Sequence, residues 1–305
     1  MRTCAASDWT VEELLAAKAA GGHSVSMVLP ARNEEATVGR VARALLPLVD
    51  AGLVDDLLVI DSLSDDDTLA AASAAGARVV TCAEALPDVE PMRGKGEAMW
   101  RSLFATSGDI VAFCDADLLD AGAHYGVGLL GPLLTDPDTL LVKGFYDRPL
   151  VDDQGSVTGY GGRVTELVAR PLLNLHWPEL AGLVQPLAGE WAGRRSLLES
   201  LPFPVGYGVE IGVLLDTLTQ HGSQVITQVD LGRRTHLQQS QDALGVMAAE
   251  VMATALRRLD VTVTGKTLTQ FISDASGRRE VTTPVPLLER PPAQSMPRSA
   301  GQPPR

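Results

Sequence analysis

The sequence predicts an α/β domain in which a mostly parallel sheet carries helices on its faces, and three observations predict it. Up to about residue 120, short apolar runs alternate with segments of helical period. The links between them are short, as crossovers between neighbouring parallel strands require. Three of the runs also end in polar clusters: Leu29-Pro-Ala-Arg-Asn-Glu34, Asp61-Ser-Leu-Ser64 and Asp115-Ala-Asp117. In a doubly wound sheet, strand ends of this kind share one crevice at the carboxyl edge, where ligands bind.

Each element has a local reason. Thr10-Val-Glu-Glu13 is a capping box, so a first helix occupies roughly 11–20, ended by Gly21-Gly22. Ser24–Leu29 reads as a strand. Asn33 is expected to cap the next helix, whose apolar face is Val38, Val41, Ala42 and Leu45. Asp56–Ile60 is a second strand. Ser64-Asp-Asp-Asp67 reads as another capping box, opening an alanine-rich helix, and Ala77–Thr81 as a third strand. A helix over Gly94–Ser107 precedes the strand that delivers Asp115 and Asp117. Beyond residue 120 the pattern loosens, and Gly122–Leu134, apolar but broken by glycines, receives no assignment. Thr139–Lys143 and Gln224–Val229 read as strands; Val164–Leu175, Val209–Gln220 and Ala243–Leu259 read as helices. Residues 1–282 are expected to form one domain, with halves at about 24–120 and 121–260. The proline-rich stretch 283–305 is expected to be a disordered tail.

The chain has 305 residues, 45% hydrophobic and 21% charged, enough for a well-buried core. Its formal net charge of −13 opposes nonspecific binding to nucleic acid or anionic membrane. No apolar stretch approaches the roughly 18–20 residues that span a bilayer, and Met1–Asp8 lacks the apolar core of a signal peptide. Cys4, Cys82 and Cys114 are too scattered for a disulfide framework or a zinc site, which fits a reducing cytoplasm. If the ligands are anionic, basic side chains must gather locally.

Asp115-Ala-Asp117 offers two hard oxygen donors at a strand end, suited to Mg²⁺ or Mn²⁺ shared with substrate phosphates. Alone, the triplet reads more readily as a helix cap, Asp117, beside a solvated carboxylate, Asp115. Three such clusters in one βα array are harder to explain that way.

Together these clusters look like the nucleotide-sugar half of a glycosyltransferase with the GT-A fold, a Rossmann-like, mixed but mostly parallel sheet. Four longer segments narrow the likeness: Met92-Arg-Gly-Lys-Gly-Glu-Ala-Met-Trp-Arg-Ser-Leu103, Gly161-Gly-Arg-Val-Thr-Glu-Leu-Val-Ala-Arg-Pro-Leu172, Gln185-Pro-Leu-Ala-Gly-Glu190 and Gly206-Tyr-Gly-Val-Glu-Ile-Gly212. From about Trp9 to Arg290 the chain resembles the actinobacterial glucosyl-3-phosphoglycerate synthase family. The resemblance implies transfer of glucose from UDP-glucose to the 2-hydroxyl of 3-phospho-D-glycerate, with retention, with Mg²⁺ or Mn²⁺, by a homodimer. It implies that Pro30, Ala31, Arg32, Asn33, Glu34, Ser62 and Lys95 hold uridine, ribose and diphosphate, with Asp115 and Ala116 near the ribose. Tyr207, Gly208, Val209 and Glu210 would meet the sugar, and Gly162, Arg163, Val164 and Thr165 the acceptor phosphate. Asp117 and His236 would bind the metal, and Arg234 would face the diphosphate.

Residue chemistry supports several of these roles. Gly162-Arg163 precedes a helix, so free backbone N–H groups, the helix dipole and a guanidinium meet an anion there. Lys95 stands between two glycines, which lets backbone approach a ligand; the spacing is not that of a P-loop. Arg32, Lys95, Arg163 and Arg234 would make the basic cluster the acidic chain needs. Glu210 is the carboxylate best placed to orient the sugar, with Glu190 its competitor. Leu237-Gln238 departs from the Arg-Asn of mycobacterial sequences, so Gln238 would offer an amide to the acceptor carboxylate where a cation is lost. The rivals are a sister transferase using GDP-mannose, GDP-glucose or glycerate, a sugar-nucleotide pyrophosphorylase, and a non-catalytic nucleotide-sugar-binding protein. The glycine-rich signature that a pyrophosphorylase carries after the first strand is missing here, where Pro30-Ala-Arg-Asn33 stands.

Overall fold

The computed structural model describes residues 1–147, 149–151, 157–160, 162–234, 241–274 and 277–297. A short strand, β1 (Arg2–Ala5), opens the chain. The capping box then forms as expected: Thr10 Oγ1 accepts from the Glu13 N–H at 3.2 Å, and the Glu13 carboxylate accepts from the Thr10 N–H at 2.8 Å. It starts α1 (Val11–Gly21), which Gly22 ends in the left-handed conformation. Strand and helix alternate through β2 (Val25–Ala31), α2 (Val38–Asp50), β3 (Asp56–Asp61), α3 (Thr68–Ala74), β4 (Arg78–Thr81), α4 (Cys82–Ala85), α5 (Lys95–Ala105) and β5 (Ile110–Phe113). The second half contributes α6 (Ala123–Thr135), β6 (Leu141–Asp147) and a hairpin, β7 (Pro149–Val151) with β8 (Val157–Tyr160). Helical turns from Arg163 pass through a π segment into α7 (Arg170–His176). Then come β9 (Trp191–Arg194), α8 (Arg195–Ser200), β10 (Phe203–Pro204), α9 (Val209–His221), β11 (Ile226–Arg233) and α10 (Gln241–Arg257). A second hairpin, β12 (Thr267–Asp274) and β13 (Gly277–Pro284), and the short β14 (Glu289–Arg290) complete the chain. No helix among the described residues is long and apolar enough to cross a membrane.

Eight strands form one sheet in the order β1-β11-β6-β9-β5-β2-β3-β4. Every pairing is parallel except those of β9, which runs antiparallel to both β5 and β6. The sheet is therefore mixed but mostly parallel, and it joins the two expected halves. Its central strands are buried on both faces. On β2, Val25, Met27 and Leu29 point into a core with α1, α2 and α6, while Val28 points into a second core with α5 and α9.

The glycine-broken segment at 122–134 is α6, and its glycines explain it. Gly126 packs on Met27 and Leu48, Gly128 on Leu231 and Ala6, and Gly131 on the Trp9 indole. A side chain at any of the three would collide with these neighbours, so glycine lets the helix lie close to both the sheet and the N-terminal segment.

Two helix starts differ from expectation. Asn33 does not cap α2: it sits at φ +56, and the helix begins at Val38. Ser64 does not cap α3, which begins at Thr68. Both residues instead join the loops after β2 and β3. The Asn33 N–H donates to Ser64 Oγ (2.9 Å), the Asp65 N–H to Asn33 Oδ1 (3.1 Å), and the Glu34 N–H to Thr68 Oγ1 (2.8 Å). The expected disordered tail is corrected too. Pro284 ends β13, β14 pairs with β10, and Ala293 is buried in the second core, so much of this stretch is folded onto the domain. Residues 298–305 lie outside the described set.

Replacing Gly131 with alanine tests the close packing of α6. Helix propensity favours alanine by about 1 kcal/mol, whereas overpacking against Trp9 costs about 1–3 kcal/mol. The expected outcome is a lower urea midpoint for Gly131→Ala.

Candidate active site

The carboxyl ends of β2, β3 and β5 open onto one cavity of about 460 Å³. Pro30 and Ala31 come from β2, Arg32 and Glu34 from the loop after it, and Ser62 from the loop after β3. Asp115, Ala116 and Asp117 follow β5 and occupy the floor. The opposite wall holds Gly162, Arg163, Val164 and Thr165 at a helix start, Tyr207 and Glu210 at the start of α9, and Arg234 just past β11. The structure thus brings together most of the residues singled out from the sequence. Arg32, Lys95, Arg163 and Arg234 all line the cavity, joined by Arg93, so basic groups do gather inside an acidic chain.

Three singled-out residues sit elsewhere. Asn33 is spent on the loop-to-loop bonds described above. The Val209 side chain is buried in the second core, and a side chain at Gly208 would collide with Thr254 on α10. Gly208 and Val209 therefore shape the start of α9 without facing the cavity. His236 and Gln238 lie outside the described residues.

The centre of the site is an ion-pair lattice. Lys95 Nζ lies 2.6 Å from Asp115 Oδ1 and 2.8 Å from Glu210 Oε1. The Arg234 guanidinium reaches Asp117 Oδ1 at 3.0 Å, Asp115 Oδ2 at 3.3 Å and Glu190 Oε1 at 3.0 Å. Tyr146 closes the ring: its hydroxyl donates to Glu190 Oε2 (2.8 Å) and accepts from Arg234 Nη1 (2.6 Å), while the guanidinium stacks over its ring at 5.2 Å. Burial opposes charge on Lys95, yet Asp115 and Glu210 overcome it and hold the ammonium well above its usual range. Burial and the neighbouring Asp115 raise the Asp117 carboxyl, against the pull of Arg234 and Lys95.

This lattice separates Glu210 from Glu190. Glu190 is fully buried, holds Arg234 and Tyr146, and does not face the cavity. Glu210 does face it. Lys143 lies beneath the same floor, its ammonium bonded to the Ala188 carbonyl at 2.7 Å, and burial pushes it down to about 8.

The glycines beside Lys95 serve a different contact from the one expected. A side chain at Gly94 or Gly96 would collide with the carbonyls of Val205 and Pro204, so the close approach is to the chain's own β10 segment. Gly189 likewise admits the Asp115 carboxylate. Gly162, at φ +97, turns the chain into the helix that presents Arg163.

The donor set fits a divalent cation. Asp115 and Asp117 place two carboxylates side by side at an open floor, and the Asp117 side chain is 46% exposed. Mg²⁺ and Mn²⁺ take a few carboxylates and complete their shell with phosphate oxygens and water.

Sequence reasoning missed Tyr146, Leu187, Gly189 and Glu250. Tyr146 had a signal, a polar residue at the carboxyl end of a strand. Glu250 had none, because α10 reads as a plain apolar helix. Its carboxylate accepts from the Tyr207 N–H at 2.6 Å and so fixes the loop before α9.

Burial, with help from Glu210, pushes Glu250 up to about 7 against the hydrogen bond from Tyr207. A folded pKa above the ordinary 4.5 means that the folded chain holds the proton more tightly. Stability then falls as pH rises from about 4.5 to 7, and the loss, roughly 3 kcal/mol, is complete above that window. Glu250→Gln keeps an acceptor for Tyr207 and removes the titration. It should raise Tm relative to the parent at pH 8 and leave it nearly unchanged at pH 4.5, as read by calorimetry.

Comparison with known proteins places this geometry. A family model described as glycosyl transferase family 2 matches residues 26–125. Glucosyl-3-phosphoglycerate synthase of Mycobacterium tuberculosis (strain ATCC 25618 / H37Rv) is 53% identical over 295 residues, covering 94% of this chain and 90% of that protein. The synthase of Petrotoga mobilis is 43% identical over 253 residues, 82% of this chain and 78% of that protein. A crystal structure of the M. tuberculosis synthase with Mn²⁺, UDP and phosphoglyceric acid matches at a TM-score of 0.86 and 51% identity, over 94% of this chain and 95% of that one. One with Mg²⁺ and UDP matches at 0.87 and 50%, over 96% and 98%. The fold is thus that of GT-A glycosyltransferases. At this identity over nearly the full length of both partners, the chain belongs to the glucosyl-3-phosphoglycerate synthase family.

Proposed function

We propose that this chain transfers glucose from UDP-glucose to the 2-hydroxyl of 3-phospho-D-glycerate, with retention and with Mg²⁺ or Mn²⁺. The observation that carries this reading is one cavity holding an acidic floor, Asp115 and Asp117, opposite a helix start at Gly162-Arg163. The M. tuberculosis synthase, 52% identical over the matched region, has been crystallised with Mn²⁺, UDP-glucose and phosphoglyceric acid together. Family membership leaves the pyrophosphorylase and the non-catalytic readings without support.

Uridine lies along Pro30, Ala31 and Arg32, with Ser62 beside it. Asp117 would hold the ion, with His236 assigned as its second protein ligand, and the bound ion would supply Lewis acidity toward the diphosphate. Lys95 and Arg234 meet the negative charge that grows on UDP as the sugar departs. Both cations are fixed before substrate arrives, so little reorganisation is needed in the transition state. Glu210, anchored by Lys95, accepts hydrogen bonds from glucose hydroxyls beside Tyr207. Arg163 forks onto the acceptor phosphate, and the N–H groups of Val164 and Thr165 add the helix terminus. Glu190 is buried behind Arg234 and outside the cavity lining; transfer of the acceptor proton to the leaving phosphate oxygen, on the face where the acceptor enters, would give retention without a side-chain base.

A cytoplasmic location is part of the proposal, supported by three free cysteines, two of them buried. So is a homodimer. On α10, Val251 and Ala255 pack into the second core while Met252 is exposed.

The deciding assay combines UDP-glucose and 3-phosphoglycerate, with and without chelator. UDP release and a phosphorylated glucoside are expected, and both should vanish when the metal is stripped; turnover that survives stripping contradicts the ion's role. Arg163→Ala should raise KM for 3-phosphoglycerate roughly 10- to 100-fold, the worth of a charge-assisted fork. Its affinity for UDP, measured calorimetrically, should hold; equal loss of both would contradict the phosphate assignment.

A further inference from the structure

The segment after β13 returns to the active-site half of the molecule and is tied there by charge. The Arg290 guanidinium forks onto Glu97, with Nε to Oε2 at 2.6 Å and Nη2 to Oε1 at 2.7 Å. It also donates to the Glu90 carbonyl at 2.7 Å and stacks on the Trp100 ring at 5.1 Å. Trp100 Nε1 donates to the Pro291 carbonyl at 2.8 Å. Glu97 has no exposed surface, and it accepts in addition from Arg101 Nε (2.5 Å) and the Met92 N–H (3.2 Å). One buried carboxylate thus joins the C-terminal strap, the core of α5 and the turn that leads into Lys95.

The strap reaches the site by a second route. Its β14 pairs with β10, and the Val205 N–H donates to the Leu288 carbonyl at 2.9 Å. The Val205 carbonyl in turn accepts from the Glu97 N–H at 2.9 Å, in the first turn of α5. Pro286 lines the cavity itself. The segments that carry Lys95 and Tyr207 are therefore held together from behind by Leu288–Pro291. The Gly162–Thr165 segment makes none of these bonds.

We propose that Arg290 is a positioning residue for the nucleotide sugar: through Glu97 it fixes the Met92–Lys95 turn, and through β14 it sets that turn against the Tyr207 loop. The inference rests on the proposed donor site, since it concerns how Lys95 is presented to a diphosphate. A fork that releases Glu97 frees the Met92 turn and displaces Lys95 from Asp115, and small displacements of such a group weaken binding steeply. The effect is confined to the donor side.

The test compares Arg290→Ala, Arg290→Lys and Glu289→Ala with the parent chain. Calorimetric titration with UDP and Mn²⁺ gives the donor-side affinity, steady-state kinetics give KM for both substrates, and circular dichroism with thermal melts reports folding. Glu289 lies in the same strap but pairs with Arg258, just past α10, so its loss weakens the strap without touching Glu97. For Arg290→Ala, Kd for UDP and KM for UDP-glucose should rise about tenfold or more. KM for 3-phosphoglycerate should stay within about twofold, as for an uncoupled site. Arg290→Lys, which keeps one charge and loses the fork, should fall between the two. Glu289→Ala should lower Tm while leaving UDP affinity within about twofold. If Arg290→Ala fails to fold, Arg290→Lys against Glu289→Ala makes the same comparison. Unchanged UDP affinity in the folded Arg290 variants, equal loss for both substrates, or an equal UDP loss in Glu289→Ala would overturn the proposal. A parent chain that binds no UDP would overturn the functional reading itself.

Discussion

The site depends on one cluster of shared charge. Among the described residues, Asp115, Asp117, Glu190 and Glu210 form ion pairs with two cations they share, Lys95 and Arg234. Four carboxylates sharing two cations crowd negative charge into one place. Crowding carboxylates together opposes their ionisation, and the cluster shows it: burial raises the Glu190 and Asp117 carboxyls, with Asp115 adding to both. A divalent cation at the open Asp117 end would relieve that crowding. The same carboxylates keep Lys95 and Arg234 charged and aimed, because each is bonded on more than one side. An anionic diphosphate then meets cations already in place.

Around this lattice the fold does two jobs. The parallel strands β2, β3 and β5 deliver polar residues to one edge, as their common direction requires. The antiparallel β9 enters between β5 and β6 and carries Glu190 at its start. A parallel strand in that slot would place the same residue at the far edge of the sheet. The reversal of one short strand is what puts a buried acid behind Arg234 and lets Gly189 accept the Asp115 carboxylate.

Much of this was legible in sequence. The three polar strand ends, the Asp115–Asp117 pair, Lys95 and the Gly162-Arg163 turn follow from local pattern, and the structure assembles them in one cavity. What was not legible depends on partners distant in sequence. Asn33 and Ser64 have the composition of helix caps, and only the adjacency of two loops turns them toward each other. The four residues of β9 show no alternation, and nothing local gives their direction. Glu190 and Glu210 look alike in the sequence; burial behind Tyr146 separates them. Glu250 shows only as an apolar helix until the Tyr207 loop is laid against it.

The C-terminal strap makes the same point from composition. Proline-rich segments lack the apolar content to order themselves, and the residues after Thr283 fit that description. They are ordered because they fold onto a surface prepared elsewhere. Trp100 offers a ring and an N–H, Glu97 a buried carboxylate, and Val205 a free backbone N–H. Proline suits this use, since its fixed φ lowers the entropy lost when an extended strap docks. Glu97 in turn needs the strap: without Arg290, a fully buried carboxylate would have Arg101 as its only cation among the described residues. Strap and helix are thus interdependent, and the helix they secure begins at Lys95.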